Sequence, residues 1–516
     1  MKIALVQCPS WSVLTPPYNL ALLSSCLKQE GHEVHCFDFN IQTYKHILEK
    51  EGEGLWGTSG ESNAWLNKDY VLGIITRYAS FIDSLAAQLL RVHPQIIGFS
   101  VQDTTWHFSE ELIKRIKGID GKIKILLGGY SCFGNPPHLR FGDNGNIDGV
   151  CLREGEIPLI NLLRLFREKN DFARCPGFIC RDADGNIFAG EGLPLSSDLD
   201  VFPFADFSGF ELGGYKERAL PISTSRGCIF RCTFCAESVS WERYRHRSAG
   251  NVFSEMEYQL NRYPGIKGFF FNDSLINGNI NMLEELCNYI IEKGLRISWG
   301  GQGAIRKGMG PKLLEKMKKA GFSHVSYGLE HGSPRVLKLM RKGFDLNTAE
   351  EVIRATASLG INTTVNIVVG FPGETEEDVF AAADFLKKNI SYINNVYFHA
   401  LVVLPNTTLF NHREEYKIDL PPENGANLWF TRDGLNNYEI RLKRIEFLKQ
   451  VVKDKYASNI TEFNYYFDLA EDFYNKKDMR KALVYFLKAK SMSEEMADAN
   501  KACLLNNRLS ALGKNA

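Results

Sequence analysis

The chain of 516 residues has no surplus of either charge: 61 Lys and Arg stand against 61 Asp and Glu, for a formal net charge of zero. A dedicated nucleic-acid binder usually carries a basic excess, so no nucleic-acid partner is expected. No uninterrupted apolar run approaches the ~18–20 residues of a membrane-spanning helix, so no membrane span is expected. The opening run Met1–Val6 is too short for the apolar core of a secretion signal, and Gln7 and Pro9 break it, which leads to an expected cytoplasmic location. Twelve cysteines are far too few for a disulfide scaffold of this length. What remains, with 44% hydrophobic and 24% charged residues, is an ordinary globular protein.

Two series of alternating strands and helices follow each other. Lys2–Cys8, Glu33–Asp38, Gln95–Val101, Lys122–Leu127 and Gly149–Leu152 have the pattern of strands, with helical patterns at Asn19–Glu30, Ile82–Val92, Glu110–Lys117 and Glu156–Arg167. Near-continuous apolar strands alternating with helices predict a parallel, doubly wound (Rossmann-like) sheet over 1–170, with a ligand crevice at the carboxyl ends of its strands. Residues 171–215, rich in Pro, Gly and Asp, are expected to be a linker with a small hairpin. Over 216–420, strands near Leu220–Thr224, Gly268–Asn272, Arg296–Gly300, His324–Gly328, Asn362–Gly370 and Asn395–Val403 alternate with helices. Six β/α units predict a partial (β/α)6 TIM-like barrel, open or closed, with chemistry at the strands' carboxyl ends. Residues 421–516 are expected to be helical. There Ala470, Tyr474, Ala482, Tyr485 and Ala489 are spaced like a single helical-hairpin repeat, either a packing cap or a docking surface.

Three cysteines are used differently from the other nine. Cys228, Cys232 and Cys235 fall in the segment Ser225-Arg226-Gly227-Cys228-Ile229-Phe230-Arg231-Cys232-Thr233-Phe234-Cys235, spaced C-x3-C-x2-C directly after an expected strand. One such loop can wrap a [4Fe–4S] cluster and leave one iron open to another ligand. Structural zinc normally takes four protein ligands, and a fully ligated electron-transfer cluster takes four cysteines.

This segment resembles the signature of the radical S-adenosylmethionine (radical SAM) enzymes. The resemblance implies that Cys228, Cys232 and Cys235 hold the cluster, that SAM chelates the open iron, and that Phe234 packs near the adenine. It places Asn272 and Asp273, ending the second strand of the barrel, near the SAM amino group, although the Gly-Gly-Glu of several members is missing. Gly328-Leu329-Glu330-His331-Gly332-Ser333 resembles a G-x-E-S-G element with His331 in place of Ser; Glu330 is then a SAM ligand, or else a structural partner of Arg335 or Arg341. Gly370, Pro372 and Gly373 lie in a G-F-P-G-E-T element and are placed beside the adenine, with Glu374-Thr375 opening the next helix. Leu404-Pro405-Asn406-Thr407 departs from the usual P-G-T.

Upstream, Gly98-Phe99-Ser100, Gly128-Gly129, Asp148-Gly149-Val150 and Arg153-Glu154-Gly155-Glu156 resemble the cobalamin-binding class of these enzymes. That resemblance implies a corrinoid crevice lined by Gln102, Asp103, Thr104, Gly128, Gly129, Glu154, Gly155 and Glu156. The D-x-H-x-x-G motif that supplies a histidine to cobalt is absent, and members of the class without cobalamin exist. Trp106 and His107 either face a corrin or have surface or packing roles. Tyr397 and His399 share a face of the last strand, while Trp299, Gln302 and Arg306 follow the third.

The function implied is a 5′-deoxyadenosyl radical used for cobalamin-dependent methylation of an unactivated carbon in a small-molecule or lipid-like substrate, with ferredoxin or flavodoxin as reductant. Radical cyclisation and carbon–carbon coupling remain open, and a non-catalytic corrinoid carrier is the alternative of another class. A tRNA methylthiotransferase fits less well, because no N-terminal three-cysteine motif and no basic surplus are present. No catalytic residue beyond the cofactor ligands is assigned.

Overall fold

The computed structural model describes residues 1–453 except 52–61, 134–143, 170–171, 173, 183, 194 and 422–424, together with scattered positions from 467 to 509. Part of the expected crevice loop up to Pro137, and Tyr485, Ala489 and Cys503, lie outside the described residues. The chain divides into two compact units, Met1–Glu49 with Leu55–Thr224 and Arg245–Asn272, and Lys50–Gly54 with Ser225–Tyr244 and Asp273–Ala516. Among the described residues, no helix is long and apolar enough to cross a membrane.

The first unit is built on strands β1 (Lys2–Gln7), β2 (Glu33–Asp38), β3 (Ile96–Ser100), β4 (Lys124–Gly128) and β5 (Gly149–Cys151), parallel in the order β2-β1-β3-β4-β5. The order reverses between β1 and β3, which makes their carboxyl ends the switch point where ligands of such sheets bind. Ile3, Ala4, Leu5 and Val6 are all buried, as a strand covered on both faces requires. Helices α1 (Tyr18–Gln29), α2 (Asp103–Ile119) and α3 (Glu156–Lys169) are among those flanking the sheet. Leu112, Ile113 and Ile116 of α2 join Val6, Ile97, Phe99 and Leu127 in one core.

The expected linker is where the sequence reading needs correction. The hairpin exists, as β6 (Phe178–Arg181) and β7 (Ile187–Ala189), but β6 pairs antiparallel with β5 and the two extend the first sheet to seven strands. Farther along, Tyr215 donates to the buried Asp38 at 2.7 Å and Lys28 pairs with Asp206 at 2.7 Å. These residues cover the first unit instead of spanning a gap. That unit also takes in β8 (Ala219–Ile222), α4 (Ala249–Arg262) and β9 (Gly268–Phe271), past the expected boundary at 216.

The second unit carries β10 (Ser298–Gly303), β11 (Phe322–Glu330), β12 (Asn362–Val369) and β13 (Asn395–Ala400), with α5 (Pro334–Leu339), α6 (Glu376–Asn389) and α7 (Tyr438–Lys453). Within this unit β10, β11, β12 and β13 pair in parallel in chain order, and in the first unit β9 pairs in parallel with β8. The expected boundary at 421 does not separate a domain. Trp429 is fully buried in a cluster with Val368, Phe371 and Leu401, and α7 lies against α6 with the Phe380 and Phe447 rings 5.6 Å apart. Of the expected repeat, Ala470 and Ala482 are buried with Phe467, Phe486 and Leu505 in a small cluster of their own.

Candidate active site

The cysteine loop leaves Ser225 and turns at Gly227, which has φ 80° and whose missing Cβ would stand 2.7 Å from the Arg243 carbonyl oxygen. Only glycine accepts both conditions. Ser225 is pinned by Asp273, which accepts from its amide and, at 2.6 Å, from its hydroxyl. Halfway along, the fully buried Thr233 donates its amide to Met340 O at 3.1 Å and accepts from Leu409 N at 2.8 Å. The Phe230 ring lies against Gly343, where a Cβ would come within 2.5 Å. The loop is therefore held at its start, its centre and one flank before any ligand is considered.

Cys228 and Cys235 are partly buried and Cys232 is buried, and none of the three is in a disulfide. Burial pushes each thiol up, Cys235 to about 12, and the sulfurs lie close enough to oppose one another's ionisation. Such a pocket holds thiolates only with a cation among them. The Phe230 amide donates to Cys228 Sγ at 3.5 Å. Among the described residues, no three Cys, His, Asp or Glu side chains converge on a single ion. A cubane instead binds each thiolate through a different iron, so this donor set fits a cluster with three protein ligands.

One residue of this site escaped the sequence reading. Lys342 lies 3.2 Å from Glu330, with both side chains nearly buried. Burial opposes its charge, but Glu330 and the sulfurs of Cys232 and Cys235 more than offset that, and its pKa is raised. Glu330 therefore pairs with neither Arg335 nor Arg341. Arg335 is taken by Asp378 and by the Gly373 carbonyl at 2.6 Å. Glu330 itself sits at φ 67° beside a bulge in the β11–β12 pairing; backbone strain of this kind is concentrated at functional sites.

The remaining expected SAM positions fall in different settings. Phe234 packs at the edge of the cluster containing Phe371, Leu409 and Trp429. Asn272 is exposed, while the Asp273 carboxylate is committed to Ser225. Pro372 is buried and Gly373 exposed. Gly370 has φ 90°, and its Cβ position is already filled by Cγ and Cδ of the fully buried Arg441, at 2.3 Å. Its lack of a side chain thus serves Arg441. Thr375 caps α6 as expected. Glu374 instead turns inward: it accepts from Gly370 N at 2.8 Å and Phe371 N at 3.2 Å, and lies 3.2 Å from Arg444 and 3.3 Å from His331.

Partners in register across parallel strands point to one face. Gln302, Ser326, Thr364 and Asn395 form one such row, and Asn366 is level with Tyr397. Asn366 also donates to Ser326 at 2.8 Å. With His399, expected to share the face of Tyr397, they make a polar, hydrogen-bonding wall. Trp299 belongs to the opposite, buried side, where it donates to Ala320 O at 2.8 Å. Arg306 is occupied with the Asn277 and Gly278 carbonyls.

In the first unit the expected crevice residues separate into two groups. Gln102, Asp103 and Thr104 open α2 after β3, and Gly128-Gly129 lies at the end of β4, next to the switch point. Thr104 donates to Ser10 O at 3.0 Å, and Val101 N to Gly128 O at 2.7 Å, so these loops brace one another. Trp11 and Tyr130 stand exposed on the same loops, offering aromatic surface suited to a flat macrocycle. Trp106 is buried in the core. The second group, Glu154, Gly155 and Glu156, follows β5, two strands from β3. Glu154 pairs with the buried Arg245, and the cavity there measures only about 60 Å³. That is room for a few waters and far too little for a corrinoid. The switch-point group thus lies on loops that brace one another, whereas Glu154 is committed to Arg245.

Residues 222–386 match the family model of the Radical SAM superfamily, so the chain carries a radical SAM domain. An uncharacterized methyltransferase of Pyrococcus horikoshii is 25% identical over 425 residues, covering 80% of this chain and 83% of that protein. The anaerobic magnesium-protoporphyrin IX monomethyl ester cyclase of Synechocystis sp. is 27% identical over 403 residues, covering 76% and 71%. Among solved structures, the fold is similar to that of the radical S-adenosylmethionine methyltransferase TsrM from Kitasatospora setae, which has cobalamin and a [4Fe-4S] cluster bound. The TM-score is 0.62 at 19% identity, over 87% of this chain and 88% of that one.

Proposed function

We propose that the protein is a cobalamin-dependent radical SAM methyltransferase acting on an unactivated carbon of a small molecule. The observation that carries this reading is the braced loop of Cys228, Cys232 and Cys235 in a chain that also holds a doubly wound unit with its own switch point. When bound, the cluster and SAM supply a 5′-deoxyadenosyl radical that removes a substrate hydrogen atom, and cobalamin supplies the methyl group. The chain's own part is placement. Asp273, Met340 and Leu409 fix the cysteine loop through Ser225 and Thr233. Gln302, Ser326, Asn366, Tyr397 and His399 offer hydrogen bonds that orient a polar substrate. The loops at 8–17, 101–104 and 128–130 form the corrinoid crevice, and a small ferredoxin or flavodoxin serves as reductant. Similarity to the Synechocystis cyclase supports radical ring formation as the second reading.

Protein purified without oxygen and reconstituted with iron, sulfide and hydroxocobalamin is expected to hold about four irons and one tightly bound corrinoid. It should release 5′-deoxyadenosine from SAM under dithionite, and Cys232→Ala should lose both the iron and that activity. Retained SAM cleavage in Cys232→Ala would overturn the cluster assignment. Iron without corrinoid would remove the methyl-transfer half.

A further inference from the structure

We propose that Lys342 sets the reduction potential of the cluster held by Cys228, Cys232 and Cys235, with Glu330 as the counter-charge that limits its effect; the proposal rests on the cluster assignment above. Two contacts place the lysine. Met340 O accepts from Thr233 N at 3.1 Å, and Gly343 lies against the Phe230 ring. Lys342 therefore falls between two points where its segment touches the cysteine loop, with its ammonium 3.2 Å from Glu330 and 12% of its side chain exposed.

A buried ion pair is a weak device for stability, since apolar residues of similar volume often serve as well or better. It is also within electrostatic reach of the three cysteines, which gives it another use. Reduction adds one negative charge to a cluster, and a fixed cation in a water-poor site favours the more negative state. Glu330 pulls the other way. Arg231, on the loop itself, is exposed and donates to the Cys228 and Glu242 carbonyls, so water screens most of its charge.

The test is a redox titration of the reconstituted proteins without SAM, followed by electron paramagnetic resonance, with iron and sulfide contents matched beforehand. At the parent's midpoint, Lys342→Met should lower the ratio of reduced to oxidised cluster about tenfold, or ~59 mV for a one-electron couple. Lys342→Arg should stay near the parent, and Glu330→Gln should move the ratio upward. A Lys342→Met protein with full iron and an unchanged midpoint would overturn the proposal, as would shifts of the same sign in Lys342→Met and Glu330→Gln. A parent that takes up no iron would overturn the cluster assignment itself, before any potential is measured.

Discussion

Glu374 shows how far one side chain's role can stand from its sequence context. It opens an acidic run, Glu374-Thr375-Glu376-Glu377-Asp378, which has the pattern of a helix N-terminus favoured by the helix dipole. The helix does start there, but Glu374 is 4% exposed and gathers two amides, Arg444 and His331. Glu376, two residues on, pairs with the same Arg444 at 2.7 Å while its side chain stays 59% exposed. Hydrogen bonds to a buried charge contribute more than exposed ion pairs. Glu374→Gln should therefore cost about 1.5–3 kcal/mol in urea unfolding, and Glu376→Gln at most ~1 kcal/mol. Equal losses from the two would contradict the buried-hub account. No spacing rule announces this role, because it depends on Arg444, seventy residues away.

At the level of elements, the apolar periodicity located the six strands from β8 to β13 and five of the first sheet, because burial on both faces forces a continuous apolar run. Three things escaped. The short helix α5 was not expected at all; Pro334 occupies its first turn, where proline is tolerated. The β6–β7 hairpin was visible in its turn residues, yet its pairing with β5 is a long-range choice that local pattern does not carry. Lys342 lies past α5, and only that helix's return toward Thr233 and Phe230 makes it part of the site. The cysteine loop was legible in its spacing, though the rigidity of its first turn was not. Gly227→Ala would push a Cβ into the Arg243 carbonyl at a positive φ, at a cost of about 1–3 kcal/mol. The strain falls on the residue before Cys228. Iron content after reconstitution should drop well below the parent's, while α-helical circular dichroism stays unchanged. A Gly227→Ala protein that loads iron like the parent would show that the loop is reshaped by its ligand and does not need the turn in advance.

For the molecule as a whole, two ligand sites are assigned to two separately compact units, and each assignment carries its own footprint. A ligand present at a hundred times its dissociation constant stabilises what it binds by about 2.7 kcal/mol. Amides that exchange through local opening at that place should slow about a hundredfold. Hydrogen exchange read by mass spectrometry should then show hydroxocobalamin protecting peptides from 8–17, 101–105 and 128–133, the carboxyl ends of β1, β3 and β4. Cluster reconstitution should instead protect 226–236. Peptides around 153–158 should change little with the corrinoid, because Glu154 is already committed to Arg245 and the cavity beside it is small. Protection centred on 153–158 would transfer the crevice to the β5 edge and restore Glu154, Gly155 and Glu156 as its lining. If neither edge slows at saturating corrinoid, the first unit is no cobalamin site, and radical SAM chemistry without it becomes the reading for this chain.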